Sequence, residues 1–356
     1  MNDNKTILKL LSLLLPGILL FSCSSPDPKQ EQAARDLQES RRYDLALKDK
    51  IDQFEALPAT AENPENPSSA AKIKLGHALY FDTKLSGKNT ISCNSCHNLA
   101  KGGADETPFS AGDKGQLGGR NSPSVLNAAL HKFQFWDGRA KDVEEQAGMP
   151  VLNPVEMAIP SEKALCDKLS QEANYKSLFA AAFPGEANPI TYANIRKAIG
   201  AFERQLLTPS PVDKYLKGDS TALSVQEKRG MLAFATVGCA TCHNGALLGG
   251  NSFQKFGVHK PYWEETKSEK QDAGRFDITK QESDKYVFKV PALRNVDKTA
   301  PYFHDGSVKD LDKAVDIMAK VQLNYTLNDS EKENIVAFLK ALSGSIPTDY
   351  QSAPKN

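Results

Sequence analysis

Two short stretches constrain this chain more than anything else in it. "TISCNSCHNLAKGG" (90–103) and "VGCATCHNGALLGG" (237–250) each set two cysteines and a histidine in the spacing C-x-x-C-H. Two thiols so placed can add to the vinyl groups of one haem, and the adjacent histidine supplies an axial nitrogen to its iron. Zinc is the competing occupant, but a zinc ribbon pairs two C-x-x-C knuckles about 15–20 residues apart. Here Cys93 and Cys239 stand 146 positions apart. Redox C-x-x-C sits beside a strand–helix unit, which the pattern lacks. The chain is therefore expected to fold around two covalently held haem c groups, through Cys93, Cys96 and His97 and through Cys239, Cys242 and His243.

The remaining pattern is helical. "YDLALKDKIDQFEAL" (43–57) carries Leu47, Ile51, Phe54 and Leu57 at helical spacing. "TYANIRKAIGAFERQLL" (191–207) puts Ile195, Ile199, Phe202 and Leu206 on one face behind Thr191 as a cap. "SVQEKRGMLAFATVG" (224–238) opens with a Ser224/Glu227 capping box, and "DSEKENIVAFLKALSG" (329–344) ends at a glycine. "PATAENPENPSSA" (58–70) reads as a linker, and "TPSPVDKYLKGDS" (208–220) breaks the pattern near the middle. The halves are related: "FWDGRAKDVEEQA" (135–147) matches "FHDGSVKDLDKAV" (303–315), so His304 falls opposite Trp136. The expected class is all-α, two c-type cytochrome domains. The expected divisions are 1–22 signal peptide, 23–58 tether (24–42) and N-terminal helix, 59–207 first haem domain, 208–346 second haem domain and 347–356 tail.

The first 22 residues place Lys5 and Lys9 ahead of an apolar stretch too short for a convincing span, which reads as an export signal. Leu20-Phe21-Ser22-Cys23 resembles a lipobox, in which Cys23 becomes the lipidated N-terminus; ordinary cleavage nearby is the alternative. Cys166 is left over from the haem motifs and reads as a small buried apolar residue. With 44 basic and 44 acidic residues, no single-sign field favours nucleic acid as a partner.

What lies across each haem decides the function. "KDLDKAVDIMAK" lines up Leu311, Ala314, Val315 and Met318 on one helical face, and Met/His ligation is an electron-transfer arrangement that raises the potential; a core methionine is the plainer alternative.

Several motifs in order resemble the bacterial di-haem cytochrome c peroxidases and their MauG-type relatives: "LGHALYFDTKLSG", "ISCNSCHNLAKGG", "RNSPSVLNAALHKFQFWDGRAKDVEEQA", "NPVEM", "FKVPALRNVDKTAPYFHDGS", "AVDIMAKVQL" and "ENIVAFLKAL". The resemblance covers about residues 43–345. It implies a peroxidatic haem at His97 and an electron-entry haem at His243 with Met318 as its distal ligand. It also implies Trp136 between the haems, and Glu156 with Gln146 over the peroxide site. Asn121, Thr299 and Pro301 fall where the family binds calcium, Asn121 by side chain and the others by backbone carbonyl. The implied partners are hydrogen peroxide and a small periplasmic cytochrome c or cupredoxin donor, with a homodimer on the membrane surface through the lipid anchor. The rivals are a MauG-like oxidant of a partner protein, a type with Tyr where Met318 stands (Tyr325 does not align), and a non-enzymatic electron carrier.

One departure matters. Many family members carry, between the first motif and the "RN-x-P" stretch, a histidine that closes the peroxidatic haem at rest. Here "NLAKGGADETPFSAGDKGQLGGRN" (98–121) contains no His, Met or Cys, and Asp113 stands at that place. The expectation is an open resting site that needs no reductive activation, against the alternative of a ligand from elsewhere such as His77 or His131. His77, His131 and His259 otherwise read as structural or surface residues.

Overall fold

The computed structural model describes residues 27–354. Its backbone is overwhelmingly helical, with one two-stranded antiparallel ribbon, Phe253–Lys255 against Val287–Lys289.

Each half is organised by one crossed pair of helices. In the first, Ala70–Phe81, capped by Ser69, packs on Tyr192–Glu203, capped by Thr191. In the second, Val225–Val237 packs on Asp329–Ala341, and both begin in reciprocal capping boxes, Ser224/Glu227 and Asn328/Glu331. The backbones nearly touch at each crossing. A Cβ on Gly76 would stand 1.9 Å from the Ala198 carbonyl oxygen, and one on Gly230 would stand 1.8 Å from that of Asn334. Only glycine permits that approach. Phe202 and Phe338, fully buried, lie beside the two crossings.

The internal repeat holds at the level of backbone conformation. Asn127, Phe135 and Gly138 adopt positive φ, as do Asn295, Phe303 and Gly306, each 168 residues later. The isolated bridge Gln134–Ala140 has its counterpart in Tyr302–Val308. A bulky residue with positive φ is uncommon, so a matched pair of such phenylalanines reflects one loop design used twice.

The chain ends cross over. Leu47 and Phe54 belong to the core of the second half, beside Phe234 and Phe338. Leu57 N–H donates to the Asp213 carboxylate at 2.6 Å, and Gly245 N–H donates to the Gln53 carbonyl at 2.9 Å. At the other end, Ile346 and Tyr350 pack with Tyr80 and Phe202 of the first half.

The N-terminal region differs from expectation. The segment taken as a polar tether is largely helix, Pro28–Leu47, started by the Asp27 cap and Pro28, and the helix expected over 43–57 ends at Leu47 before a 3₁₀ turn at Ile51–Gln53. Its polarity is real, since Leu47 is its one buried residue. It docks through charge instead: Glu39 meets Arg229 at 2.7 Å, and Asp44 meets the buried Lys228 at 2.6 Å. The signal peptide and Cys23 lie outside the described residues. Among the described residues, no helix is long and apolar enough to cross a membrane.

Candidate haem sites and the partition between them

Cys93 and Cys96 bound a single helical turn, and His97 is its C-cap residue. Cys239 follows Gly238, whose left-handed backbone ends the Val225–Val237 helix. In both motifs the imidazole is held the same way. His97 Nδ1 lies 2.9 Å from the Pro123 carbonyl oxygen, and His243 Nδ1 lies 3.1 Å from that of Leu248. Each Nδ1–H donates to a carbonyl, which leaves Nε2 as the free lone pair. Burial lowers both pKa values, against the opposing effect of those carbonyls. A neutral imidazole with an oriented Nδ1–H is the form that ligates a metal. The thiols are unpaired, and burial pushes Cys93 up to about 12 and Cys239 up to about 11, so neither is a reactive thiolate.

Each motif opens onto its own cavity. The first, about 590 Å³, has Cys93, Cys96 and His97 on its wall together with Gln146, Glu156 and Arg139. Gln146 comes from the Val143–Leu152 helix, and Glu156 from the turn that follows, where its N–H donates to the Asn153 carbonyl at 3.0 Å. Burial raises the Glu156 pKa, partly offset by Arg139 and by a hydrogen bond from Asn153. The second cavity, about 250 Å³, is walled by Cys239, Cys242, His243 and Met318, with Leu311 and Ala314 from the same helix face as the methionine. Two thiols and one free imidazole nitrogen in each cavity are the donor set that haem c requires. The predicted residues are thus gathered into two groups: Glu156 and Gln146 with His97, and Met318 with His243.

A thin partition separates the cavities. Asn121, Pro123, His131, Phe135, Trp136 and Lys289 contribute to both walls. Trp136 Nε1–H donates to the Asn121 carbonyl at 2.9 Å. Its ring meets that of His304, its repeat counterpart, edge-on at 6.3 Å between centroids. Asn121, Thr299 and Pro301 all lie on the wall of the second cavity. Asn121 Nδ2 donates to the Thr107 carbonyl at 2.9 Å, so Oδ1 is its remaining polar atom. No cluster of three acidic, histidine or cysteine side chains suited to a metal occurs among the described residues.

Asp113 does not face the first cavity; it is absent from its wall. Its carboxylate accepts from Thr90 Oγ1–H at 2.6 Å, Lys88 N–H at 2.7 Å and Thr90 N–H at 3.4 Å. Burial raises its pKa, but these hydrogen bonds outweigh burial and hold it below the ordinary value. The Asp113 N–H donates to the Glu156 carbonyl at 2.8 Å. His77 lies outside both cavities, stacked on Phe202 at 4.8 Å with Nε2 against the Ser352 carbonyl at 2.8 Å.

Two features escaped the sequence. The place of His131, read as structural or surface or as an alternative ligand to the first site, is on both cavity walls. Arg120 joins Asp137 at 2.6 Å and grips both oxygens of Asp272, at 2.6 and 2.8 Å, tying the two halves beside the first cavity. The repeat placed neither, because Asp272 stands 152 positions from Arg120 and Lys289 stands 158 from His131.

The family model described as di-haem cytochrome c peroxidase matches residues 70–221. A cytochrome c551 peroxidase from Pseudomonas aeruginosa is 47% identical over 291 residues, 81% of this chain and 83% of the relative. The protein of the same name from Nitrosomonas europaea is 46% identical over 294 residues, 82% and 84% of the two chains. Among solved structures, a MauG-like protein associated with microbial copper homeostasis superposes with a TM-score of 0.75 at 29% identity, covering 84% of this chain and 97% of that one.

Proposed function

The chain belongs to the di-haem cytochrome c peroxidase family, and from that premise we propose that it reduces hydrogen peroxide to water, taking two protons and two electrons per peroxide, the electrons singly from a small cytochrome c or cupredoxin. The observation that carries this is Glu156 and Gln146 on the wall of the cavity that holds His97.

Bound haem supplies the redox chemistry, at a peroxide-facing iron in the first cavity and an electron-relaying iron in the second. The chain's own residues do the rest. Glu156, its pKa raised by burial, takes a proton from one peroxide oxygen and returns it to the departing one. Gln146 orients the peroxide by hydrogen bonding. Met318, on the wall of the cavity that holds His243, would supply a soft thioether donor to the haem of the electron-entry site. Trp136, in the partition, stands on the path between the sites.

The peroxidatic site is open at rest, without reductive activation. In support, the 98–121 loop brings no imidazole or thioether, and Asp113 is spent on Lys88 and Thr90. The test is an electron paramagnetic resonance spectrum of the fully oxidised protein, followed by peroxide without reductant. A high-spin ferric signal that disappears promptly on adding peroxide is expected. Two low-spin signals indifferent to peroxide would overturn the open site. A MauG-like role draws on the missing loop histidine, but Met318 and the greater identity to the cytochrome c551 peroxidases favour the peroxidase.

The same proposal extends to location and assembly. The enzyme is exported to the periplasm, anchored through Cys23, and works as a homodimer. Calcium binds through Asn121 Oδ1 and the Thr299 and Pro301 carbonyls, with water completing the shell.

A further inference from the structure

The two crossing glycines make the halves comparable residue by residue. Four positions after Gly76 stands Tyr80, and four after Gly230 stands Phe234. Both rings are buried beside their crossing, Tyr80 edge-on to Phe202 at 5.3 Å between centroids and Phe234 tilted against Phe338 at 5.4 Å. The two side chains differ by one hydroxyl. Tyr80 Oη–H donates to the His97 carbonyl at 2.6 Å. Phe234 meets the ring of His243 at 6.4 Å between centroids and has nothing to donate.

The hydroxyl fills a specific need. His97 is the C-cap of its turn, with φ −126° and ψ 64°, so its carbonyl stands outside the helical ladder and needs a partner from elsewhere. Among the described residues Tyr80 is that partner, and the His243 carbonyl has none. His97 is thus tied at three points. Its N–H donates to the Cys93 carbonyl at 3.0 Å, its Nδ1–H donates to Pro123, and its carbonyl accepts from Tyr80. His243 has the first two kinds of tie, to Cys239 and Leu248, and lacks the third. The tie at His97 comes from a helix that cannot slide easily, because its backbone is pressed on Ala198 at Gly76, one turn earlier.

This asymmetry matches the demands of the two sites as read above. A second iron held by His243 and Met318 is gripped from both sides. A first iron left open for peroxide takes one axial donor from the chain, so the placing of His97 alone sets its position. We propose that Tyr80 is a positioning residue of the peroxide site: its hydroxyl, acting through the His97 carbonyl, fixes the backbone that aims Nε2 at the iron. Tyr80 itself touches neither haem nor peroxide. The proposal rests on the haem assignment and on the open first site, and it adds a reason why one of two duplicated motifs can work with a single axial donor: that donor is pre-organised by its supporting shell.

The test uses the holoenzyme, fully reduced, and reads the iron–histidine stretching band by resonance Raman. A five-coordinate ferrous iron gives this band, so a second site ligated by Met318 is silent. Tyr80→Phe, which makes the first half resemble the second, is expected to shift the band to lower frequency and broaden it, because an imidazole freed from one tie samples longer and more tilted bonds. Leu79→Ala, on the same helix but in the neighbouring core cluster, opens a cavity and leaves the hydroxyl in place. It should lower the unfolding temperature at least as much as Tyr80→Phe and leave the band where wild type has it. An unchanged band in Tyr80→Phe, or an equal shift in Leu79→Ala, overturns the proposal. If Tyr80→Phe loses the first haem, Leu79→Ala decides: retention of both haems there assigns the loss to the hydroxyl, and loss there too overturns the role. Wild type lacking two haems overturns the haem assignment, and wild type without the band overturns the open site; either removes the ground on which this proposal stands.

Discussion

Replacing Asp113 by alanine probes the most unusual side chain in the first half. The carboxylate holds two short hydrogen bonds, from Thr90 Oγ1 and Lys88 N, and a longer one from Thr90 N. Hydrogen bonds to a charged group contribute about 1.5–3 kcal/mol each, and with only 4% exposure little solvent screening reduces them. Two such bonds give about 3–6 kcal/mol; water entering the gap recovers part, so the expected loss for Asp113→Ala is about 3 kcal/mol. At urea m-values of about 1–3 kcal/mol/M, the unfolding midpoint should fall by about 1 M or more. Thr90→Val removes only the hydroxyl contact, and a double-mutant cycle between the two should return a coupling of about 1.5 kcal/mol. The sign with pH follows from the lowered pKa. The contribution is complete above the ordinary aspartate value of about 3.9 and is lost as pH falls through the folded-state value, so wild type and Asp113→Ala should converge in acid. A coupling below about 0.5 kcal/mol, or a stability gap that persists in acid, would show that Asp113 is not committed to Thr90 and is free to turn towards the haem.

Glu156→Gln should lower kcat/KM for peroxide by about 10²–10⁴-fold with both haems retained; its pH profile should also lose the acid limb that wild type shows above the ordinary glutamate value of about 4.3, because burial raises the Glu156 pKa. Met318→Leu should lower the potential of the His243 haem in spectroelectrochemistry and leave that of the His97 haem in place, and equal shifts at both would refute the assignment. Gly230→Ala should destabilise the second half by at least about 1–3 kcal/mol in thermal unfolding, because its Cβ would meet the Asn334 carbonyl at 1.8 Å; a neutral result would mean the two helices can part without cost.

What the sequence made legible was local in the chain. The C-x-x-C-H motifs, the Thr191 cap and the Ser224/Glu227 box all depend on residues within five positions of one another. The Met318 face followed from helical period alone. The repeat aligned His304 with Trp136, and the two rings lie edge-on at 6.3 Å. What stayed illegible depended on partners far off in sequence. Asp113 looked like a vacant ligand place because Thr90 and Lys88 could not be seen behind it. His131, offered as one alternative ligand to the first site and otherwise as structural or surface, could not be paired with Lys289, 158 positions away. The helix Pro28–Leu47 looked like a tether because its docking is by ion pairs to Lys228 and Arg229 rather than by an apolar stripe. The carbonyls of Pro123 and Leu248, which set the two imidazoles, have no side-chain signature at all.

The crossing of the chain ends carries a consequence for how the molecule holds together. Leu47 and Phe54, which precede the first half in the chain, lie in the core of the second, and Ile346 and Tyr350, which follow the second half, lie in the core of the first. Each half thus borrows a structural wedge from the opposite terminus, so the duplicated units are laced rather than strung in series. A break between them would leave two incomplete cores, each missing the piece the other fragment carries. The two cavities are therefore held against one another by the hydrophobic interior as well as by the partition that both walls share.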